Sequence, residues 1–430
     1  MPDSLDYLFS LEQFGIKLGL DNSQLLCGAL DHPDRSYASI IVAGTNGKGS
    51  VAAMLETALR AAGYATGRFT SPHLVTLEER FAINGRPISR ETLAREAERL
   101  QTLIATLLDD GRLNAPPTFF ETTTAMALSL FRYAKVRVAV LEVGMGGRFD
   151  ATNVVTPVAA AIPTIDLDHQ EHLGSTLAEI AFEKAGVVKP GMLVVTGETK
   201  PEAVGVLRRI CRERHARLVE ADDETRTQVT LRDGLTELEL ATPVGSYGPV
   251  RMKLRGRHQV RNAMVAVRLL EHLASCGLPV SPAAVLAGLT DTRWPGRLEL
   301  VAIDSQRSVM LDAAHNVASV AAFASYITEV WPSGLPLVFG ALRDKDVGEM
   351  ARALGSSATT LVCPPLATHR AVAPADLLTK LQAARPDLTA VTAPTTGAAL
   401  EAAWARGNVI GATGSVFLVG AVAQHLALQP

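Results

Sequence analysis

The apolar run Ile40-Ile41-Val42-Ala43 ends directly in Gly44-Thr45-Asn46-Gly47-Lys48-Gly49-Ser50, which opens a helix-compatible stretch from Ser50 to Ala62. A strand that delivers a glycine-rich turn to a helix start is an α/β device. It aims backbone N–H groups and the positive end of a helix at an anion. These residue types predict a nucleoside triphosphate as that anion: Lys48 can reach the terminal phosphates, and the Ser50 hydroxyl can face Mg²⁺. Only Thr45 and Asn46 separate Gly44 from Gly47-Lys48, whereas the general phosphate-loop pattern has four residues there. The common nucleotidases fit this compact spacing poorly.

Apolar β-branched runs alternate with helical patterns from Ala38 to about Val195, with strands predicted at Ser39–Ala43, Arg137–Val143 and Val158–Ile162. Such alternation implies a mostly parallel sheet covered by helices. Thr227 to Leu240 alternates at period two around Asp233-Gly234, a hairpin signal that reads as an antiparallel appendage to the first domain. Helices are expected near Gln259–Ser275 and Pro282–Leu289, after which Asp291-Thr292-Arg293-Trp294-Pro295-Gly296-Arg297 breaks the pattern. The chain thus divides into 1–290, a linker at 291–297, and 298–430. In the last part, strands predicted at Leu298–Ile303, Val309–Leu311, Leu335–Phe339, Thr359–Cys363 and Ser415–Val419 alternate with helices that include Leu378–Ala384 and Ala398–Trp404. The expected fold class is α/β: a phosphate-loop, ATP-binding domain on a mostly parallel sheet, plus a smaller Rossmann-like C-terminal domain.

Two domains also suit the length, 430 residues. With 41 Lys and Arg against 44 Asp and Glu, the formal charge of −3 gives no field for nucleic acid. No apolar run is long enough for a bilayer, and Asp3 and Asp6 argue against a secretory signal. Cys27, Cys211, Cys276 and Cys363 are far apart, which suggests neither a disulfide framework nor a thiolate metal site. A cytoplasmic monomer with small-molecule partners is expected.

Further clusters carry chemistry. Glu142 ends the run Val136–Leu141 before Gly144-Met145-Gly146-Gly147, where an acid can hold Mg²⁺ beside the phosphate loop. A solvated carboxylate beside a glycine turn fits those residues equally well. Phe149 stands where a dinucleotide fingerprint would have its last glycine. Asp168-His169, Leu173-Gly174 and Glu183-Lys184-Ala185-Gly186 follow. Locally these read as a structural histidine and a solvated Glu-Lys pair. Gly256-Arg257-His258-Gln259-Val260-Arg261-Asn262-Ala263 reads locally as a polar helix start.

Taken in order from Phe14 to Gly420, these segments resemble the Mur ligase superfamily and, within it, the folylpolyglutamate synthase and dihydrofolate synthase family. The matches also include Pro295-Gly296-Arg297-Leu298-Glu299, Leu311-Asp312-Ala313-Ala314-His315-Asn316 and Gly340-Ala341-Leu342-Arg343-Asp344-Lys345-Asp346. The resemblance implies that Ser71 of Thr70-Ser71-Pro72-His73-Leu74, Glu142 and His169 hold magnesium with Ser50, two ions in all. It also implies that Lys184 is carbamylated, a change from cation to anion that would let it join the metal site. Asn262 is carried over as an adenine contact, while Gln259 departs from the family's usual Asn. Arg297 and Asp312 would reach ATP, and His315 and Ser415 would hold the incoming amino acid; Ala313 replaces a glycine common there. Ile16, Lys17 and Leu18, with Phe119, Phe120 and Glu121, and with Phe149, Asp150 and Ala151, would line a pterin and aminobenzoate pocket.

The activity so implied is ATP-dependent ligation of L-glutamate to dihydropteroate, to the γ-glutamyl tail of reduced folates, or to both. It would proceed through an acyl phosphate, with Lys48, Lys184 and His315 as catalytic residues. A Mur-type ligase for a nucleotide-linked peptide precursor, a phosphate-loop phosphotransferase or ATPase, and a non-catalytic nucleotide binder are the rival readings.

Overall fold

The computed structural model describes residues 4–15, 17 and 19–428. Among these residues the strands form three sheets. The first contains β1 (Ala38–Val42), β2 (Thr66–Phe69), β3 (Phe81–Ile83), β4 (Arg86–Pro87), β5 (Val138–Glu142), β6 (Ala159–Ile162), β7 (Leu193–Thr196) and β8 (Arg217–Glu220), in the order β4-β3-β2-β5-β1-β6-β7-β8. All neighbours are parallel except the β2-β3-β4 edge. The central strands read as unbroken apolar runs because both faces are buried. Ile40, Val42, Val138 and Val140 point into a core with helices Lys48–Ala61, His258–His272 and Pro282–Thr290. On the opposite face, Ala139 and Leu141 pack with helices Arg90–Asp109 and Phe119–Tyr133, and Ile41 packs with Leu177–Ala185 and Pro201–Glu213.

The chain leaves β1 toward β2 and leaves β6 toward β7, in opposite directions, although β1 and β6 are neighbours. Such a reversal opens a crevice at the carboxyl ends of the strands. The loops after β1, β5 and β6 converge there.

β9 (Arg226–Arg232), β10 (Leu235–Ala241) and β11 (Ser246–Met252) make the antiparallel sheet, with Asp233 and Gly234 both at positive φ in the hairpin turn. Leu238, Leu240, Tyr247, Val250 and Met252 join the core beneath β1, as an appendage would. The hairpin tip also reaches the last domain, where the Tyr326 hydroxyl donates to the Gly234 carbonyl at 2.7 Å.

The third sheet holds β12 (Glu299–Ala302), β13 (Ser308–Leu311), β14 (Leu335–Phe339), β15 (Ala358–Cys363), β16 (Thr389–Thr392) and β17 (Val409–Thr413), in the order β12-β13-β17-β14-β15-β16, with only β12 antiparallel. The strand expected at Ser415–Val419 is instead the start of the helix Val416–His425, and β17 precedes it. Ser415 caps that helix by accepting the Phe417 N–H at 3.2 Å. Val416-Phe417-Leu418-Val419 is a short apolar run whose periodicity does not separate a strand from a buried helix turn, and the capping serine decides it.

Candidate active site

A cavity of about 440 Å³ fills the crevice. From the first sheet's side it is lined by the whole Gly44–Ser50 loop, Ser71, Glu142, His169, Lys184 and Asn262, and from the other side by Arg297, Asp312 and His315. Residues distant in sequence thus meet around one space.

The loop's shape is imposed by its glycines and by clamps. Gly47 has φ +85°, and a Cβ there would run into the Asn262 side chain; a Cβ on Gly49 would lie 3.0 Å from the Trp294 indole. The Thr45 hydroxyl accepts the Asp166 N–H at 2.9 Å, and the Thr164 hydroxyl accepts the Asn46 N–H at 3.2 Å. These bonds tie the loop to the segment after β6. Lys48 donates to the carbonyls of Gly44 and Thr45, both at 3.1 Å, and Lys184 donates to the same Gly44 carbonyl at 2.9 Å. Burial, and then the neighbouring Lys48 charge, pull Lys184 down from 10.5 to about 7.

Glu142 lies opposite Val42 in the β1–β5 register, so its side chain emerges beside the loop. It is only 5% exposed, which removes the solvated-carboxylate reading. Burial raises its pKa against the pull of Lys48, the Ser71 N–H at 3.3 Å, Arg297 and Arg68. A buried acid of this kind favours a cation beside it. His169 has φ +50°, and burial holds its imidazole down at about 4, so at neutral pH the ring offers a lone pair. The Ser50 and Ser71 hydroxyls and the Glu142 carboxylate are oxygen donors that suit a hard divalent ion, and the neutral His169 adds one nitrogen beside them. Among the described residues no three His, Cys, Asp or Glu side chains cluster tightly enough to cage a metal by themselves.

Gln259 gains a clear position. Its amide donates to the Ser50 hydroxyl at 3.2 Å, and its carbonyl accepts the Asn262 amide at 2.9 Å. It therefore couples the end of the phosphate loop to Asn262, although sequence reading gave it no role. On the far wall, Asp312 accepts the N–H groups of Leu298 and Ala314, both at 2.9 Å, while burial pushes its pKa up to about 6. His315 keeps Nδ1 2.9 Å from the Ala313 carbonyl, and burial lowers its pKa to about 4. With Nδ1 donating, Nε2 is left as an acceptor.

Two side chains, Asn316 and Lys345, close the cavity across the sheets, and neither was given a role in the sequence. Asn316 donates to Asn46 and to Asp168, both at 3.0 Å. Lys345 lies 2.6 Å from the other Asp168 oxygen. Burial would raise Asp168, yet His169 and Lys345 hold its carboxyl below the usual range.

The expected pterin wall lies outside this cavity. Phe119 is buried and stacks on Phe9 at 6.0 Å between centroids, and Phe120 packs on Phe69 and on Gly144. Glu121 completes the cap of its own helix with Thr118 and accepts from Asn22. Asp150 braces the glycine turn by accepting from Met145 and Thr152, with Ala151 buried beside it. Phe149 is 37% exposed beneath the Arg148 guanidinium. Lys17 is exposed, whereas Ile16 and Leu18 lie outside the described residues.

The Mur ligase middle domain family matches residues 42–270, and the Mur ligase glutamate ligase domain family matches residues 296–420. The chain belongs to the Mur ligase family. Within it, the chain is 37% identical over 358 residues to the dihydrofolate synthase/folylpolyglutamate synthase of Bacillus subtilis, covering 82% of each. It is also 37% identical over 365 residues to a Haloferax volcanii protein named "Probable bifunctional folylpolyglutamate synthase/dihydropteroate synthase", of whose length it spans 42%. Among solved structures, the Mycobacterium tuberculosis folylpolyglutamate synthase complexed with ADP and AMPPCP superposes with a TM-score of 0.90 at 33% identity, covering all of both chains. This Mur ligase therefore stands in the folylpolyglutamate synthase and dihydrofolate synthase branch. Among the described residues no helix is long and apolar enough to cross a membrane.

Proposed function

We propose that this Mur ligase uses ATP to join L-glutamate to a pterin-bearing carboxylate, releasing ADP and phosphate. The observation that carries the reading is the single cavity in which Lys48, Glu142 and Lys184 face Arg297, Asp312 and His315. A phosphotransferase would need the first group alone. A ligase must also hold an amine against an activated acyl group.

Amide formation from a carboxylate and an amine is uphill in water, so the acceptor carboxylate first attacks the γ-phosphate and becomes an acyl phosphate. Glutamate's amine then attacks the acyl carbon, and phosphate leaves. Lys48 swings from its loop carbonyls to the migrating phosphoryl group, and Asn262, Arg297 and Asp312 place the nucleotide. Two magnesium ions held by Ser50, Ser71, Glu142, His169 and a carbamylated Lys184 would neutralise phosphate charge. His315, whose Nδ1 is held by the Ala313 carbonyl, has its Nε2 left as an acceptor for the proton lost by the amine. Ser415 holds the amino acid's carboxylate at the start of the helix Val416–His425. The aromatic pair Phe119-Phe120 and the turn Phe149-Asp150-Ala151, with the Ile16-Lys17-Leu18 segment, receive the pterin end. Each role comes from one chain, which suits a monomer.

Dihydropteroate and a reduced folate present different carboxylates to the same acyl-phosphate site, and one site serves both if the pterin shifts while the carboxylate stays. Purified protein with ATP, glutamate and either acceptor should release ADP in both cases. Stimulation by tetrahydrofolate without any by dihydropteroate would reduce the function to polyglutamylation.

A further inference from the structure

A second cavity, about 700 Å³, adjoins the reaction site and shares Ser71, Glu142 and Arg297 with it. That volume suits a drug-sized ligand rather than one amino acid. It runs from Ala313 and Val416, near the proposed glutamate position, outward between the helix Lys48–Ala61 and the linker 291–297.

Its charge is unbalanced in a particular way. The wall's acids are already engaged: Glu56 by the Thr66 hydroxyl at 2.6 Å and by Arg60 and Arg68, Glu79 by the N–H groups of Leu74, Val75 and Thr76, and Glu299 by the Gly296 N–H. Asp291 faces Lys253 at 3.5 Å. Arg255 and Arg293 line the same cavity and make no ion pair among the described residues. Arg68, whose side chain is 13% exposed and lies on the Trp294 ring at 4.7 Å, has a buried Nε without a hydrogen-bond partner. Such donors fit a ligand that presents several carboxylates in sequence along a chain.

We propose that this cavity holds the oligo-γ-glutamyl chain of the acceptor, with its α-carboxylates on Arg255, Arg293 and Arg68. The inference rests on the glutamate-ligase reading and deepens it. Each turnover leaves one more α-carboxylate behind the reacting γ-carboxylate, so a growing acceptor carries its added charge into the space next to the reaction site.

The test is kinetic. Arg255→Ala, Arg293→Ala and the double variant are assayed with tetrahydrofolate carrying one or three glutamates and with dihydropteroate, alongside the unaltered enzyme. The double variant should raise KM about tenfold for the triglutamate acceptor and leave dihydropteroate within twofold, because charge-assisted contacts are lost only by the tail. Free tri-γ-glutamate, used as a competitive inhibitor, should weaken in parallel. Equal effects on all acceptors would mean the cavity holds the pterin and would overturn the proposal, as would no effect on any. An unaltered enzyme that makes only the monoglutamate would overturn it too. Absence of glutamate-dependent ADP release in the unaltered enzyme with every acceptor would instead overturn the ligase reading.

Discussion

The Lys345 ammonium lies 2.6 Å from the Asp168 carboxylate, joining a loop of the third sheet to the loop after β6, with both side chains less than a tenth exposed. Removing one partner leaves a buried charge uncompensated, which costs about 3–5 kcal/mol. Lys345→Met should therefore loosen the closed arrangement, seen as a larger radius of gyration in solution scattering and a lower unfolding temperature. The double variant Lys345→Met with Asp168→Asn should recover part of the loss. Asp168 is held below its ordinary 3.8, so the pair's contribution is complete above that value and fades as pH falls toward the depressed one. A Lys345→Met protein as compact and stable as the original would remove the pair from the account.

Lys48→Ala should lower turnover about a hundredfold to a thousandfold, since the ammonium serves a phosphoryl group that gains charge in the transition state. Acceptor binding, measured by equilibrium titration, should change little. Small and equal effects on rate and ATP affinity would contradict this role.

Carbon dioxide adds to a neutral amine, and Lys184 is held down at about 7 instead of 10.5. The neutral fraction grows as pH rises through 7, so at a fixed concentration of dissolved carbon dioxide carbamate formation should be faster at pH 8 than at pH 6. Carbon-13 NMR with labelled bicarbonate reads it directly. Lys184→Ala should be nearly inactive and partly rescued by short carboxylates. An unmodified ammonium in well-resolved density, with both metals and bicarbonate present, would sink the carbamate.

Much of the fold was legible because its signals are local: the strand before Gly44, the Asp233-Gly234 hairpin and the breaker run 291–297 each announce themselves within a few residues. The Ser415–Val419 run misled because four apolar residues suit either a strand or a buried helix turn. In the candidate site, the loop and Glu142 could be read from strand-end chemistry. Gln259, Asn316 and the Asp168–Lys345 pair could not, since their partners lie 148 to 270 residues apart or, for Gln259, 209 residues from Ser50. Packing two sheets together creates the Asn316 and Lys345 contacts, and packing the helices Lys48–Ala61 and His258–His272 side by side on the first sheet creates the Gln259 one.

The central claim is that the acceptor carboxylate becomes an acyl phosphate before glutamate attacks. An acceptor labelled with oxygen-18 in its reacting carboxylate tests this most directly, with the released phosphate analysed by mass spectrometry. Attack of a carboxylate oxygen on the γ-phosphate, followed by expulsion of phosphate from the acyl carbon, carries one labelled oxygen into each phosphate. The account predicts that transfer, and predicts that it requires glutamate for net phosphate release. Unlabelled phosphate formed together with amide product would contradict it.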